Sequence, residues 1–238
     1  MMKKQFDWIK RDINSFCKTF NFTKQKMKDG FYILSGRIQI IDPKDGFLWD
    51  SFLVNYYISL KFYISKDYKK DFERTYPKYL PIVVLKDHKA IKNSNRHIGN
   101  DGVCCLAPDI ESQEILGQSY SLEVFTKKLV IPFFAAQIYY DNNGKWPYGD
   151  YKHYEEGLIQ YYQEKINVSK FNIIEGLEVL AGKRKIDRND LCFCGSGIKY
   201  KRCHEDIIEP LKLHVNNLYF RQNLKTIQQY YKKQNSEN

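Results

Sequence analysis

Between residues 188 and 204 the chain places four metal-donating side chains within thirteen positions: Cys192, Cys194, Cys203 and His204. Two thiols one residue apart, a Gly195-Ser196-Gly197 turn and an adjacent Cys-His pair leave few ways for this stretch to fold. Three thiolates and an imidazole close a tetrahedral Zn²⁺ shell with no open position, which is the make-up of a structural zinc site rather than a catalytic one. Gly195 and Gly197 permit the tight backbone reversal that brings both pairs to one ion. A segment this short cannot enclose a core, so metal binding is expected to supply its folding energy. The remaining cysteines are Cys17, Cys104 and Cys105. No apolar run reaches bilayer-spanning length. Residues 1–5 lead into a charged amphipathic pattern, not a signal-peptide core. The expected compartment is the cytoplasm, where clustered cysteines serve metal binding or catalysis instead of disulfides.

Upstream, hydrophobic periodicity sets out an α+β order. Phe6, Ile9, Ile13, Phe16 and Phe20 recur three and four apart, predicting a helix over residues 5–20 with Cys17 as a packing residue. After Asp29-Gly30 a strand is expected over 31–41. Then come a turn at 42–46 and a long alternating strand through Val54, Tyr56, Ile58, Leu60, Phe62 and Ile64. A polar loop at 66–76 leads to a further strand at 80–85, with Pro81 near its start. Residues 122–140 read as a buried helix that Pro132 should kink or break near Ile131. A ring-rich loop, 146–149, precedes a helix at about 151–165; His153 reads as an exposed residue at its start, ahead of the alternative that it belongs to a site. A short helix at 171–180 and the basic stretch 181–187 follow. Helical periodicity resumes over 205–232; Pro210 suits a first turn, so regular helix is expected from Glu209, with His214 an ordinary helix residue. The reading is an antiparallel sheet meander with flanking helices. It is divided into a domain at 1–166, a linker at 167–187, a metal knuckle at 188–204 and a C-terminal helix and tail at 205–238.

The loop after the fourth strand carries the second cluster, Arg96-His97-Ile98-Gly99-Asn100-Asp101-Gly102-Val103-Cys104-Cys105-Leu106. Asn100-Asp101-Gly102 is a turn signal. If 103–106 is extended, Cys104 and Cys105 point to opposite sides, so one thiol is buried and the other exposed. Together with Tyr76-Pro77 and Pro81, this run resembles the ubiquitin-conjugating (carrier) enzyme fold, most closely its bacterial versions. Trp146 to His153 also looks like a segment those domains carry after the active site. The resemblance covers residues 1–166. It implies that Cys105, just before Leu106, carries a protein C-terminus as a thioester, and that His97 is the loop histidine. That family sets an asparagine two residues after the histidine as an oxyanion donor; here Gly99 holds that place and Asn100 is one step later. The resemblance further implies a protein cargo with a reactive C-terminus and an activating enzyme. A setting in anti-phage signalling, with a nucleotidyltransferase as cargo, is also implied.

Residues 188–204 resemble the SEC-C motif, a zinc-binding tail, and the resemblance implies Cys192, Cys194, Cys203 and His204 as ligands and docking on a protein or ribosome. The formal charge of +10 over 238 residues also favours acidic partners. Protein is placed ahead of nucleic acid or ribosome, because the lysines are spread along the whole chain, and no membrane partner is expected. Two other classes fit the residues: a non-catalytic zinc-tailed adaptor, and a redox-sensing Cys104–Cys105 pair, disfavoured because vicinal disulfides are strained.

Overall fold

The computed structural model describes residues 2–27, 31–59, 80–87, 94–107, 109–116, 120–147, 149, 152, 154–215 and 217–236. The expectations for the strand at Leu60, Phe62 and Ile64, for Tyr76-Pro77, for the loop at 66–76 and for His153 fall outside these residues. The chain divides into two compact units, Met1–Ala107 with Ile115–Tyr148, and Pro108–Glu114 with Gly149–Asn238. The helices are α1 (Met2–Phe20), α2 (Asp109–Leu116), α3 (Leu122–Phe125), α4 (Ile131–Asn143), α5 (Tyr154–Lys165), α6 (Ile173–Leu180), α7 (Glu205–His214) and α8 (Asn217–Ser236). Among the described residues no helix is long and apolar enough to cross a membrane.

In the first unit, β1 (Thr23–Lys26), β2 (Phe31–Ile41), β3 (Leu48–Ser59) and β4 (Ile82–Leu85) form an antiparallel sheet in the order β1-β2-β3-β4. The α+β meander with flanking helices is thus present. Along β3 the buried residues Val54, Tyr56 and Ile58 fall on alternate positions and face the core. From α1 that core receives Ile9, Ile13 and Phe16. Gly36 is required where Phe22 crosses the sheet, because a Cβ there would lie 2.3 Å from the Phe22 ring. Strand β1 was not expected. Its sequence Thr-Lys-Gln-Lys is exposed at every position, so an edge strand defended by lysines leaves no apolar alternation to read.

The kink expected at Pro132 takes the form of a wide π turn, Thr126–Val130, between α3 and α4. Ile131 N–H bonds the Thr126 carbonyl five residues back. Widening the turn removes the clash between the proline ring and the preceding carbonyls while the surrounding residues, Phe125, Val130 and Phe134, remain fully buried. Ser121 caps α3 by accepting from Val124 N–H at 3.1 Å, and the Asp12 carboxylate accepts from Leu122 N–H at 3.0 Å.

In the second unit, α5, α6, α7 and α8 enclose a core that includes Tyr162, Ile173, Leu177, Ile208, Phe220 and Leu224. Cys192, Phe193 and Tyr200 belong to that same core. The metal knuckle therefore packs against helices instead of standing alone, and α6, within the segment expected as a linker, supplies part of the packing. Helix α7 starts at Glu205, earlier than expected, and holds Pro210 in its interior. The His204 carbonyl accepts from Ile207 and Ile208 N–H at 3.2 and 2.9 Å and nucleates the helix ahead of the proline. Burial of Ile208 and Leu211 then offsets the bond that Pro210 cannot donate. The expected long helix over 205–232 breaks at Val215, which is extended (φ −110°, ψ 137°).

Candidate functional site

The four knuckle donors converge: their ligand atoms all lie within 4.8 Å of one another. Leu191 and Lys199 form an isolated antiparallel bridge, and Cys192 N–H donates to the Ile198 carbonyl at 2.8 Å, closing a small hairpin. Gly195 (φ +76°) and Gly197 (φ +74°) occupy the left-handed region at its tip, as their type permits. A single turn of 3₁₀ helix, Tyr200–Arg202, then returns Cys203 and His204 to the first pair. Cys194 Sγ stands 3.5 Å from Cys203 Sγ, close to the roughly 3.8 Å edge that ordinary Zn–S bonds set in a tetrahedron. His204 Nδ1 lies 3.2 Å from Cys192 Sγ and 3.0 Å from Cys203 Sγ.

The surroundings suit a metal ion. His204 Nε2 faces the Asn167 carbonyl at 3.4 Å, and the tautomer that donates there leaves Nδ1, the atom nearest the thiols, as the ligand atom. Ser196 Oγ sits 3.4 Å from Cys203 Sγ. Burial pushes the Cys192 thiol up to about 12, against the lowering effect of the Cys194 N–H. Burial also opposes ionisation of Cys194, yet hydrogen bonds from the Ser196 hydroxyl and N–H hold its thiol below the ordinary range. Three thiols this close together need a cation to ionise fully, and three thiolates with one imidazole match zinc chemistry. Asn167 and Ser196 were not among the predicted residues. Ser196 sits in the motif's turn, whereas Asn167, with φ +49°, lies twenty-five positions before Cys192 with no local signal.

In the first unit, residues 97–105 fold into a tight hairpin beside β4. Cys105 N–H donates to the His97 carbonyl at 2.8 Å, Gly99 N–H to Val103 O at 2.9 Å, and Gly102 N–H to Gly99 O at 2.7 Å. Val103 bridges Val84, and Cys104 N–H donates to the Val83 carbonyl at 2.9 Å, so the run extends the sheet edge. Alternation then separates the thiols: Cys104 is buried in the core and Cys105 is exposed. Gly102, at φ +84°, has no room for a side chain, since a Cβ would lie 2.4 Å from the Leu85 carbonyl oxygen.

His97 adopts a left-handed backbone (φ +53°), and its ring meets Trp146 edge-on at 5.5 Å. Arg96, buried beside it, pairs with Asp141 at 2.7 Å and lies 4.7 Å over the Tyr140 ring, while its carbonyl accepts from Gln137. These contacts anchor the loop to the end of α4. Asn100 is exposed at the turn. A Cβ at position 99 would lie 2.7 Å from Asp101 Oδ1, the atom that accepts from Val103 N–H, so an asparagine at 99 would require the Asp101 carboxylate to shift away from that bond.

No curated protein and no solved structure matches the chain significantly, and the resemblance to ubiquitin-conjugating enzymes has no counterpart there. Residues 188–206 match the family described as the SEC-C motif, a stretch that holds all four converging donors and ends in the first turn of α7.

Proposed function

We propose that the chain is a thiol carrier with a zinc-stabilised docking unit. Cys105 takes the C-terminal acyl group of a protein from an activating enzyme: its thiolate attacks the donor thioester carbonyl, a new S–C bond forms, and the donor thiolate leaves. An amine or other acceptor nucleophile then displaces Cys105. The observation that carries the reading is the exposure of Cys105 at a turn-anchored sheet edge while its neighbour Cys104 is buried. The succession of helix, four-strand meander, cysteine loop and helix agrees with the carrier-enzyme resemblance.

An ordinary thiol with a pKa of about 8.5 already provides some thiolate at neutral pH, and thioester exchange is nearly balanced, so a strong base is unnecessary. His97 acts here as a loop-shaping residue through its carbonyl and its contact with Trp146. Asn100 or backbone N–H groups serve as the oxyanion donor. Cys192, Cys194, Cys203 and His204 hold one structural Zn²⁺ in a unit that docks on a protein partner. A nucleotidyltransferase in anti-phage signalling is one cargo in keeping with the resemblance. Gly99 with Asp101 against it favours a second reading, a non-catalytic zinc-tailed adaptor, because the family's amide donor is displaced from its place.

The test is a trap. Cys105→Ser and Cys105→Ala are expressed in the native host, purified under denaturing conditions and weighed intact. Serine forms an oxyester that outlasts the thioester, so an added protein mass on Ser but not on Ala establishes the carrier and identifies its cargo. A clean Ser variant, with wild type also free of thiol-labile adduct, establishes the adaptor instead.

A further inference from the structure

The turn between β2 and β3 is built to present apolar side chains to solvent. Ile41, Phe47, Leu48 and Trp49 are 51%, 72%, 56% and 50% exposed, although all four lie within ten residues of one hairpin. Ile41 and Leu48 are cross-strand partners, and Phe47 and Trp49 flank Leu48 in sequence. Isolated exposed hydrophobics are ordinary, but four large ones on a single hairpin tip mark a candidate contact surface.

This tip is held in one conformation. Asp42 N–H donates to Phe47 O at 2.8 Å and Gly46 N–H to Asp42 O at 3.0 Å. The Asp42 carboxylate accepts from Lys44 N–H at 2.7 Å and from Trp49 Nε1–H at 3.0 Å, while Asp45 accepts from Phe47 N–H at 3.0 Å. The carboxylates thus fix the backbone at Lys44 and at Phe47 and orient the Trp49 indole. A loop already in its final shape loses little entropy on docking.

The same residues set the sign of the field around the rings. Positions 41–50 carry Asp42, Asp45 and Asp50 against Lys44, a local excess of two negative charges on a chain whose formal charge is +10. Negative charge around the rings opposes insertion into an anionic membrane or stacking on nucleic acid, both of which present phosphates. It suits a protein cleft with an apolar floor and a lysine- or arginine-rich rim.

We infer that the β2–β3 tip is a docking knob that inserts Phe47 and Trp49 into a basic-rimmed apolar cleft of a partner protein. The surface is independent of Cys105 and stands or falls separately from the carrier chemistry.

A photo-crosslinking residue replaces Phe47 in the full-length protein in its native host, alone and combined with Asp45→Asn and Asp50→Asn. Asparagine keeps the hydrogen-bond acceptors and removes the charge. The expected result is one protein adduct whose crosslinked segment maps to apolar residues flanked by lysine or arginine. Its yield should fall at least several-fold in the Asn double variant, with the thermal melt unchanged. Four results overturn the inference: no adduct, an adduct insensitive to charge removal, an adduct to a second copy of this chain, or crosslinks to lipid or nucleic acid. Purified protein mixed with anionic phospholipid vesicles provides a direct check, because a blue shift of tryptophan emission that Trp49→Phe removes would assign the tip to a membrane.

Discussion

Asp12 illustrates how a single side chain can set a pH response. It lies on α1, where burial pushes its carboxyl up from 3.8 to about 6, with the Leu122 N–H pulling the other way. The folded state therefore keeps this proton to higher pH than the unfolded chain does. Its contribution to stability is complete below about 3.8 and is lost as pH rises through about 6. Asp12→Asn keeps an acceptor for Leu122 and removes the buried charge. The variant is expected to be more stable at pH 7 by about 1 kcal/mol given the partial solvent screening, and to lose the slope between about pH 4 and pH 7. Thermal melts followed by circular dichroism across that range check both. Gly102 carries a prediction of a different kind. With φ +84° and the Leu85 carbonyl 2.4 Å from any added Cβ, Gly102→Ala should cost at least about 1–3 kcal/mol. It should also raise hydrogen exchange at the Cys104 and Cys105 amides, because their acceptors, Val83 O and His97 O, sit on either side of the displaced turn.

At the scale of elements, the hairpin 191–199 and helix α6 depend on each other. Phe193 packs against α6 at Gly176, where a Cβ would meet the Phe193 ring at 3.1 Å, and Asn172 Nδ2–H donates to the Phe193 carbonyl at 3.4 Å. Tyr200, fully buried, donates its hydroxyl to Glu209 of α7 at 2.8 Å, and Arg188 pairs with Glu205 at 2.7 Å. A metal that closes the knuckle also fixes the residues against which α6 and α7 pack. Cys203→Ser, or removal of the metal with a strong chelator, is therefore expected to raise hydrogen exchange through α6 and α7 and to lower the melting temperature of residues 149–238. The effect should not stay confined to 188–204. Intact mass in native conditions should show the loss of one zinc in the variant. The π turn before Pro132 belongs to this scale as well: one residue without an N–H was legible as a break, but its form depended on how Thr126, Val130 and Phe134 were already buried.

For the molecule as a whole, two compact units with separate cores predict separable responses. Chelation should leave the iodoacetamide reactivity of Cys105 within about twofold of its starting value, since Cys105 is held by His97, and its neighbour Cys104 by β4, in the other unit. A large change would show that metal loss reaches the first unit. What could be read from the linear chain was whatever local spacing encodes. The donors Cys192, Cys194, Cys203 and His204 converge because thirteen residues with two glycines allow little else. Cys104 and Cys105 face opposite ways because extended backbone alternates, and β3 shows itself by the same period of two. Tertiary structure alone decided the rest. Strand β1 is an all-polar edge, Asn167 reaches His204 from twenty-five positions upstream of Cys192, and Asp141 reaches back to Arg96 from the end of α4. Such pairings are set by how packed elements bring distant residues together, and a polar residue awaiting a distant partner has the same local pattern as one facing solvent.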